Sequence, residues 1–299
     1  MAIFRPFRNL TKKQGSNQSA FFSTKQFPGT SKFLDYTFMV LMIGIVEACK
    51  DVPGEVNIPR ELYSELVWND EFDGSSVDTS KWEFEVGDNW FNNELQAYTS
   101  SSANSFVSNS SLFIQANKEN LRAKNYTSAR MRTKGRGDWK FGKIEVRAKL
   151  PKGKGIWPAI WMLPTDQKYG TWPRSGEIDI MEMVGHQPQT IYGTIHYGTD
   201  GTSGHRSQGT SYTSNAGDFS DSFHTYAIIW EKDSINWFVD GKQYFGANSQ
   251  SFSPFLYPFN ERFHLILNVA VGGIWPGNPD STTIFPQRMQ VDHVRVYTR

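Results

Sequence analysis

A single cysteine, Cys49, stands among 299 residues, so no disulfide can form within the chain. Histidine is almost as scarce, at 6, and no pair sits at metal-ligand spacing on a recognisable helix. Charge of either sign is sparse and balanced. Lys and Arg total 31 against 30 Asp and Glu, a net charge of +1, which leaves no excess of cations to grip a nucleic-acid backbone. A nucleotide-binding glycine loop is missing too. The scattered glycines of residues 135–142 lead into a strand pattern rather than a helix. No segment carries a long amphipathic helical period.

Aromatic residues are plentiful instead, at 15 % of the chain with 10 Trp. A sandwich core takes some of them, and sugar rings, whose C–H faces stack on indole, account for others. From about residue 62 the chain reads as short β-type runs between turn residues, at 111–116, 142–150, 155–163, 176–183, 190–197, 224–230, 234–239, 264–271 and 289–297. Ile144, Val146, Ala148 and Leu150 alternate with Lys143, Glu145, Arg147 and Lys149, a period of two. Asp240-Gly241 separates two such runs as a hairpin turn. Many short strands without helices indicate an all-β sandwich.

The chemistry concentrates in residues 172–186, WPRSGEIDIMEMVGH. Ile178 and Ile180 alternate with Glu177 and Asp179, so a strand here buries the isoleucines and turns the acids outward. Strict alternation would put the next acid at 181, where Met181 stands, and the acid is Glu182. An inserted residue, a β-bulge, returns Glu182 to the face of the other two. Two glutamates across a cleft are the equipment for hydrolysing a glycosidic bond, and a carboxylate between them favours a protonated neighbour.

Other residues fit a sugar-binding groove. Trp157 and Trp161 share a face of one strand, although Pro158 between them predicts an edge or a break. Trp172 precedes the acid strand in a loop position at the cleft. His196 follows on the next strand pattern and faces the carboxylates if the two strands pair. Arg130 suits sugar hydroxyls or the orientation of a carboxylate, and Asn92 lies in a polar and aromatic loop.

Residues 1–37 are polar and basic with no sustained apolar period and read as a disordered extension. Residues 38–49 join a short apolar run, of signal-peptide rather than membrane-spanning length, to the Val46-Glu47-Ala48-Cys49 sequence. The latter resembles a lipoprotein cleavage site, with Glu47 a departure from it. Residues 50–61 form a linker and 62–299 the catalytic domain. The expectation is a secreted or cell-surface (outer-membrane) lipoprotein, monomeric, touching membrane only through a lipid on Cys49.

Residues 175–185, SGEIDIMEMVG, are similar to the signature of glycoside hydrolase family 16 in its laminarinase-like branch, where the acids follow a bulged Glu-x-Asp-x-x-Glu pattern. Residues 68–74, 93–99, 149–163, 193–197, 268–277 and 291–297 carry the likeness over the span from about 62 to 299. The resemblance implies a β-jelly-roll sandwich of the concanavalin type with a concave substrate cleft, and endo-hydrolysis with retained configuration. It implies Glu177 as nucleophile, Glu182 as acid/base and Asp179 as the residue that tunes them. By position, Asn92, Arg130, Trp157, Trp161, Trp172 and His196 line sugar subsites. It implies no cofactor for catalysis and, as in many members, a structural calcium at Glu71 and Asp292. A β-1,3-glucan of the laminarin type is the expected substrate. Mixed-linkage glucan, agarose and carrageenan are the alternatives, and a silent glucan-binding lectin is the alternative class.

Overall fold

The computed structural model describes residues 62–199 and 204–299. The segments expected at 1–37, 38–49 and 50–61, with Cys49 among them, lie outside the described residues. The rest is an all-β jelly-roll sandwich of two eight-stranded antiparallel sheets. The sheet that carries the acids runs, in spatial order, through β13 (His205–Thr213), β12 (Thr190–Gly198), β11 (Glu177–Glu182), β10 (Ile156–Pro164), β17 (Phe263–Val271), β7 (Arg130–Arg132) and β2 (Glu83–Phe84), with β8 (Asp138–Trp139) also on β17. The facing sheet runs through β16 (Lys242–Asn248), β15 (Ser234–Val239), β14 (His224–Glu231), β9 (Gly142–Lys149), β18 (Gln287–Thr298), β5 (Leu112–Ala116) and β4 (Ser105–Val107), with β1 (Glu65–Asp70) also on β18. A short parallel pair, β3 (Gln96–Tyr98) and β6 (Tyr126–Ser128), forms a small sheet of its own.

Alternation sets the layers. On β9, Ile144, Val146 and Ala148 enter the core while Lys143, Glu145 and Arg147 stay half-buried on the other face. Each buried aliphatic or aromatic side chain contributes roughly 1.5–3 kcal/mol by leaving water. The site sheet is apolar towards the core and still largely covered on its outer face. Ile160 and Met162 of β10 join the core, whereas Trp157 and Trp161 lie on the opposite side. The tryptophans divide accordingly, with Trp82, Trp230 and Trp237 fully buried between the sheets. The hairpin at Asp240-Gly241 has φ of 50° and 79° between the paired Val239 and Lys242, as a two-residue turn of the I′ type requires.

Pro158 neither breaks β10 nor places it at an edge. The strand runs through it, central between β11 and β17. Pro158 pairs with Val269, and its carbonyl accepts the Met183 amide just past the last register with β11, Ala159 opposite Glu182. In an antiparallel ladder a residue's N–H and C=O point to the same neighbour. The missing donor of Pro158 therefore faces the end of β11, not β17.

The acid strand is bulged as its sequence predicts. Against β12, Asp179 opposes Thr194 and Glu182 opposes Tyr192, so three steps match two. Against β10 the residue passed over is Ile180, because Ile160 pairs with Met181 and Trp161 with Asp179. Ile180 and Met181 both turn into the core. The kink is held from the facing sheet, where Trp237 Nε1 donates to the Asp179 carbonyl at 2.8 Å and Tyr244 Oη reaches the Ile180 carbonyl at 3.4 Å. Gly193, between Tyr192 and Thr194, makes room for both. A Cβ there would lie 2.6 Å from Tyr244 Oη and 2.7 Å from Trp237 Cδ1.

Candidate active site

The bulge leaves Glu177, Asp179 and Glu182 on the outer face of one sheet, and each meets a different donor. Trp172 Nε1 donates to Glu177 Oε2 at 2.6 Å from the loop before the strand. Trp157 Nε1 donates to Glu182 Oε1 at 3.0 Å from β10. His196, opposite Glu177 on β12, places Nε2 3.0 Å from Asp179 Oδ2 and 3.9 Å from Glu177 Oε1. Two glutamates each anchored by an indole N–H, flanking a buried Asp–His pair, make an arrangement suited to acid and nucleophile in one cleft.

The family model of glycosyl hydrolases family 16 matches residues 93–295. The chain belongs to glycoside hydrolase family 16. A glucan endo-1,3-β-glucosidase A1 of Niallia circulans is 38 % identical over 299 residues, covering 89 % of this chain and 43 % of that protein. This chain thus spans less than half the length of that relative. A β-glucanase of Rhodothermus marinus is 44 % identical over 245 residues, covering 78 % of this chain and 85 % of that protein. Among solved structures, the laminarinase catalytic domain of Thermotoga maritima MSB8 is similar at 45 % identity and a TM-score of 0.74, over 79 % of this chain and 98 % of that one.

Electrostatics shift the acids and the histidine of this family 16 site in opposite senses of charge. Burial, and then the charge of Asp179, raise both glutamates above the ordinary carboxyl range. Glu177 is pushed up to about 7, restrained by His196 and by the Trp172 N–H. Glu182 goes well above its ordinary value, with Glu177 itself adding to the push. Burial and Asp179 thus favour the protonated form at both carboxyls. Burial works against a charged ring at His196, yet Glu177 and Asp179 outweigh it and raise His196 to about 9. His196 is thus a cation 3.0 Å from Asp179, set among the three acids.

The remaining sequence-derived residues fall on the same face or beside it. Trp161 Nε1 donates to Asn268 Oδ1 at 2.7 Å, and Asn268 donates to Tyr98 Oη at 3.0 Å. The Arg130 guanidinium lies over Trp161 at 4.7 Å and Trp90 at 5.0 Å, and its Nε donates to Glu85 at 2.5 Å. The carboxylate that Arg130 orients is therefore Glu85, not one of the three acids of β11. Asn92 has φ of 61°, its carbonyl accepts the Ile274 amide at 2.8 Å, and its buried Oδ1 has no partner among the described residues.

Two residues at this face were not singled out from the sequence. Trp275 packs edge-on against Trp157 at 5.5 Å and against Tyr192 at 5.0 Å, building an aromatic wall beside Glu182. His205 closes on Trp172 at 4.8 Å, beside Glu177. Trp275 follows Gly272 and Gly273 in an aromatic-and-glycine turn after a strand, a signal of a cleft loop. His205 had only its residue type to mark it.

Glu71 and Asp292 do not fit a calcium site in the described structure. Glu71 receives both Arg295 Nε and Nη2 at 2.8 Å, and this pairing lowers its carboxyl to about 2. Asp292 pairs with Arg147 at 3.0 Å and His293 at 2.9 Å. Calcium calls for a cage of six to eight oxygens, whereas each of these carboxylates is engaged by cationic side chains. Catalysis in family 16 needs no cofactor.

Proposed function

We propose that this chain is a retaining endo-β-1,3-glucanase acting on laminarin-type glucans. The observation that carries the reading is the pair Glu177 and Glu182, each held by its own tryptophan across a buried Asp179–His196 pair. A Glu177 oxygen attacks the anomeric carbon as the bond to the leaving oxygen breaks, and the Glu182 proton passes to that oxygen. Formation of the ester removes the charge of Glu177. One of the influences that raise Glu182 is then gone, so Glu182, having given up its proton, more readily stays ionised and available to take one from water. Water gives its proton to Glu182 and attacks the same carbon, Glu177 departs, and configuration is retained.

The linkage is supported by the relatives, whose names specify endo-1,3-β-glucosidase and laminarinase activity. Aromatic side chains stand beside both glutamates, Trp172 at Glu177 and Trp157 with Trp275 at Glu182, which suits sugar units on each side of the scissile bond. Product analysis on laminarin, mixed-linkage glucan, agarose and carrageenan tests this. The expected outcome is rapid loss of laminarin chain length with a ladder of oligosaccharides and at least tenfold slower release from the galactans. Binding without cleavage would identify a lectin instead.

The same proposal includes export and a monomeric state. The apolar run at 38–46 followed by Cys49 supports a secreted protein anchored by lipid. Incorporation of labelled palmitate in a bacterial host, lost in Cys49→Ala, is the expected result. Equal labelling of both would contradict the anchor.

A further inference from the structure

We propose that His205 is a positioning residue for catalysis, its Nε2 accepting the Nδ1 proton of His196 so that His196 keeps its charge against Asp179. His205 opens β13, the strand beyond β12, opposite Gly198 and two residues before Ser207, the partner of His196. That spacing brings the two rings to one face of the sheet. His205 Nε2 lies 2.7 Å from His196 Nδ1, and the rings stack at 5.0 Å with 19° between their planes. Two ring nitrogens at this distance must share a proton, since two lone pairs would repel.

The direction of the shared bond follows from what surrounds each ring. The other nitrogen of His196 faces Asp179 at 3.0 Å, and Glu177 lies within 3.9 Å. Glu177, Asp179 and Glu182 of the acid strand all favour the cation at His196. His205 touches none of these acids in the described contacts. Its own strand places Arg206 beside it, and Arg130 from β7 bears on Glu177. Burial, and then the charge of His196, lower His205 to about 4, which fits a neutral acceptor. The proton thus rests on His196 Nδ1, and a line of contacts runs from His205 through His196 to Asp179. His205 also backs Trp172 at 4.8 Å, and Trp172 holds Glu177.

Without the acceptor, the charged form of His196 loses one of its hydrogen bonds and gives up its proton more readily. Asp179 then faces Glu177 with less neutralisation, and protons move onto Glu177, the nucleophile. The proposal rests on the glycosidase reading of the site, so its test has one arm that does not measure turnover. In that arm, nitrogen-15 NMR of the intact protein near pH 7 reports the imidazoles. The expected result is His196 protonated at both nitrogens and His205 bare at Nε2. A proton on His205 Nε2, with His196 Nδ1 bare, would overturn the proposal.

The second arm compares His205→Phe, which keeps a stacked ring, with His205→Gln, which keeps an acceptor. For His205→Phe the expectation is a kcat about tenfold lower, a KM within about twofold of the parent, and a pH profile whose acid limb moves to higher pH. His205→Gln is expected to stay within about threefold of the parent kcat with the parent limbs. Equal losses in both variants with unchanged limbs would show a merely structural residue, and a Phe variant equal to the parent would also overturn the proposal.

Discussion

Glu177→Gln is expected to reduce turnover of laminarin by more than about 10⁴-fold, since the amide cannot form the covalent glycosyl ester and no neighbouring group replaces it. Asp179 is pinned to His196, and Glu182 carries the proton for the leaving group. Binding is expected to survive. The amide oxygen still accepts the Trp172 indole N–H, and the side-chain volume is unchanged. Titration calorimetry with a β-1,3-gluco-oligosaccharide is expected to give a dissociation constant within about fivefold of the parent, a difference of about 1 kcal/mol.

The same substitution has a signature in stability. The folded chain raises Glu177 from 4.5 to about 7, so it binds that proton more tightly than the unfolded chain does. Stability from this group is present at low pH and is lost as pH rises through that interval. Glutamine does not titrate, so the melting temperature of the variant is expected to fall less than the parent's across the same interval. A parent and variant with parallel pH dependence would place Glu177 outside the buried cluster.

Glu182→Ala is expected to lower laminarin hydrolysis by about 10²–10⁴-fold, the usual contribution of a positioned acid/base. The loss depends on the leaving group. A dinitrophenyl β-glycoside needs no protonation to depart, so the first step survives and the second, which needs a base for water, becomes rate-limiting. A burst of phenolate equal to the enzyme concentration is expected. Azide, which attacks without a base, is expected to restore turnover and release a β-glycosyl azide. No burst and no azide effect would remove Glu182 from the acid/base role.

Much of this machinery was legible in the sequence because strands encode burial at period two. The offset of Glu182 by one residue could only be reconciled with Glu177 and Asp179 through a bulge. The structure confirms the bulge and locates the skipped residue at Ile180 when measured against β10. What supports it was not legible. Trp237 and Tyr244 come from the facing sheet, more than fifty residues along the chain, and nothing local links them to Gly193.

β13 was missed because it is an edge strand, HRSQGTSYT, with little of it buried, and an edge needs no apolar alternation. His205 was missed with it. Pro158 misled for a similar reason, since a proline in a central strand is tolerated where its missing donor points past the end of a neighbour. Arg130 and Trp161 were recognised as residue types, but their mutual stacking depends on β7 and β10 flanking β17, and the tie of Arg130 to Glu85 on the chain just after β2, a strand of two residues.

The most direct test of the double-displacement account is the mass of Glu182→Ala protein quenched just after mixing with a dinitrophenyl β-1,3-glucobioside. The protein is expected to gain one glycosyl unit, and fragmentation of the peptide carrying it is expected to place the sugar on Glu177. A sugar found on Asp179, or an unlabelled protein releasing product of inverted configuration, would contradict it.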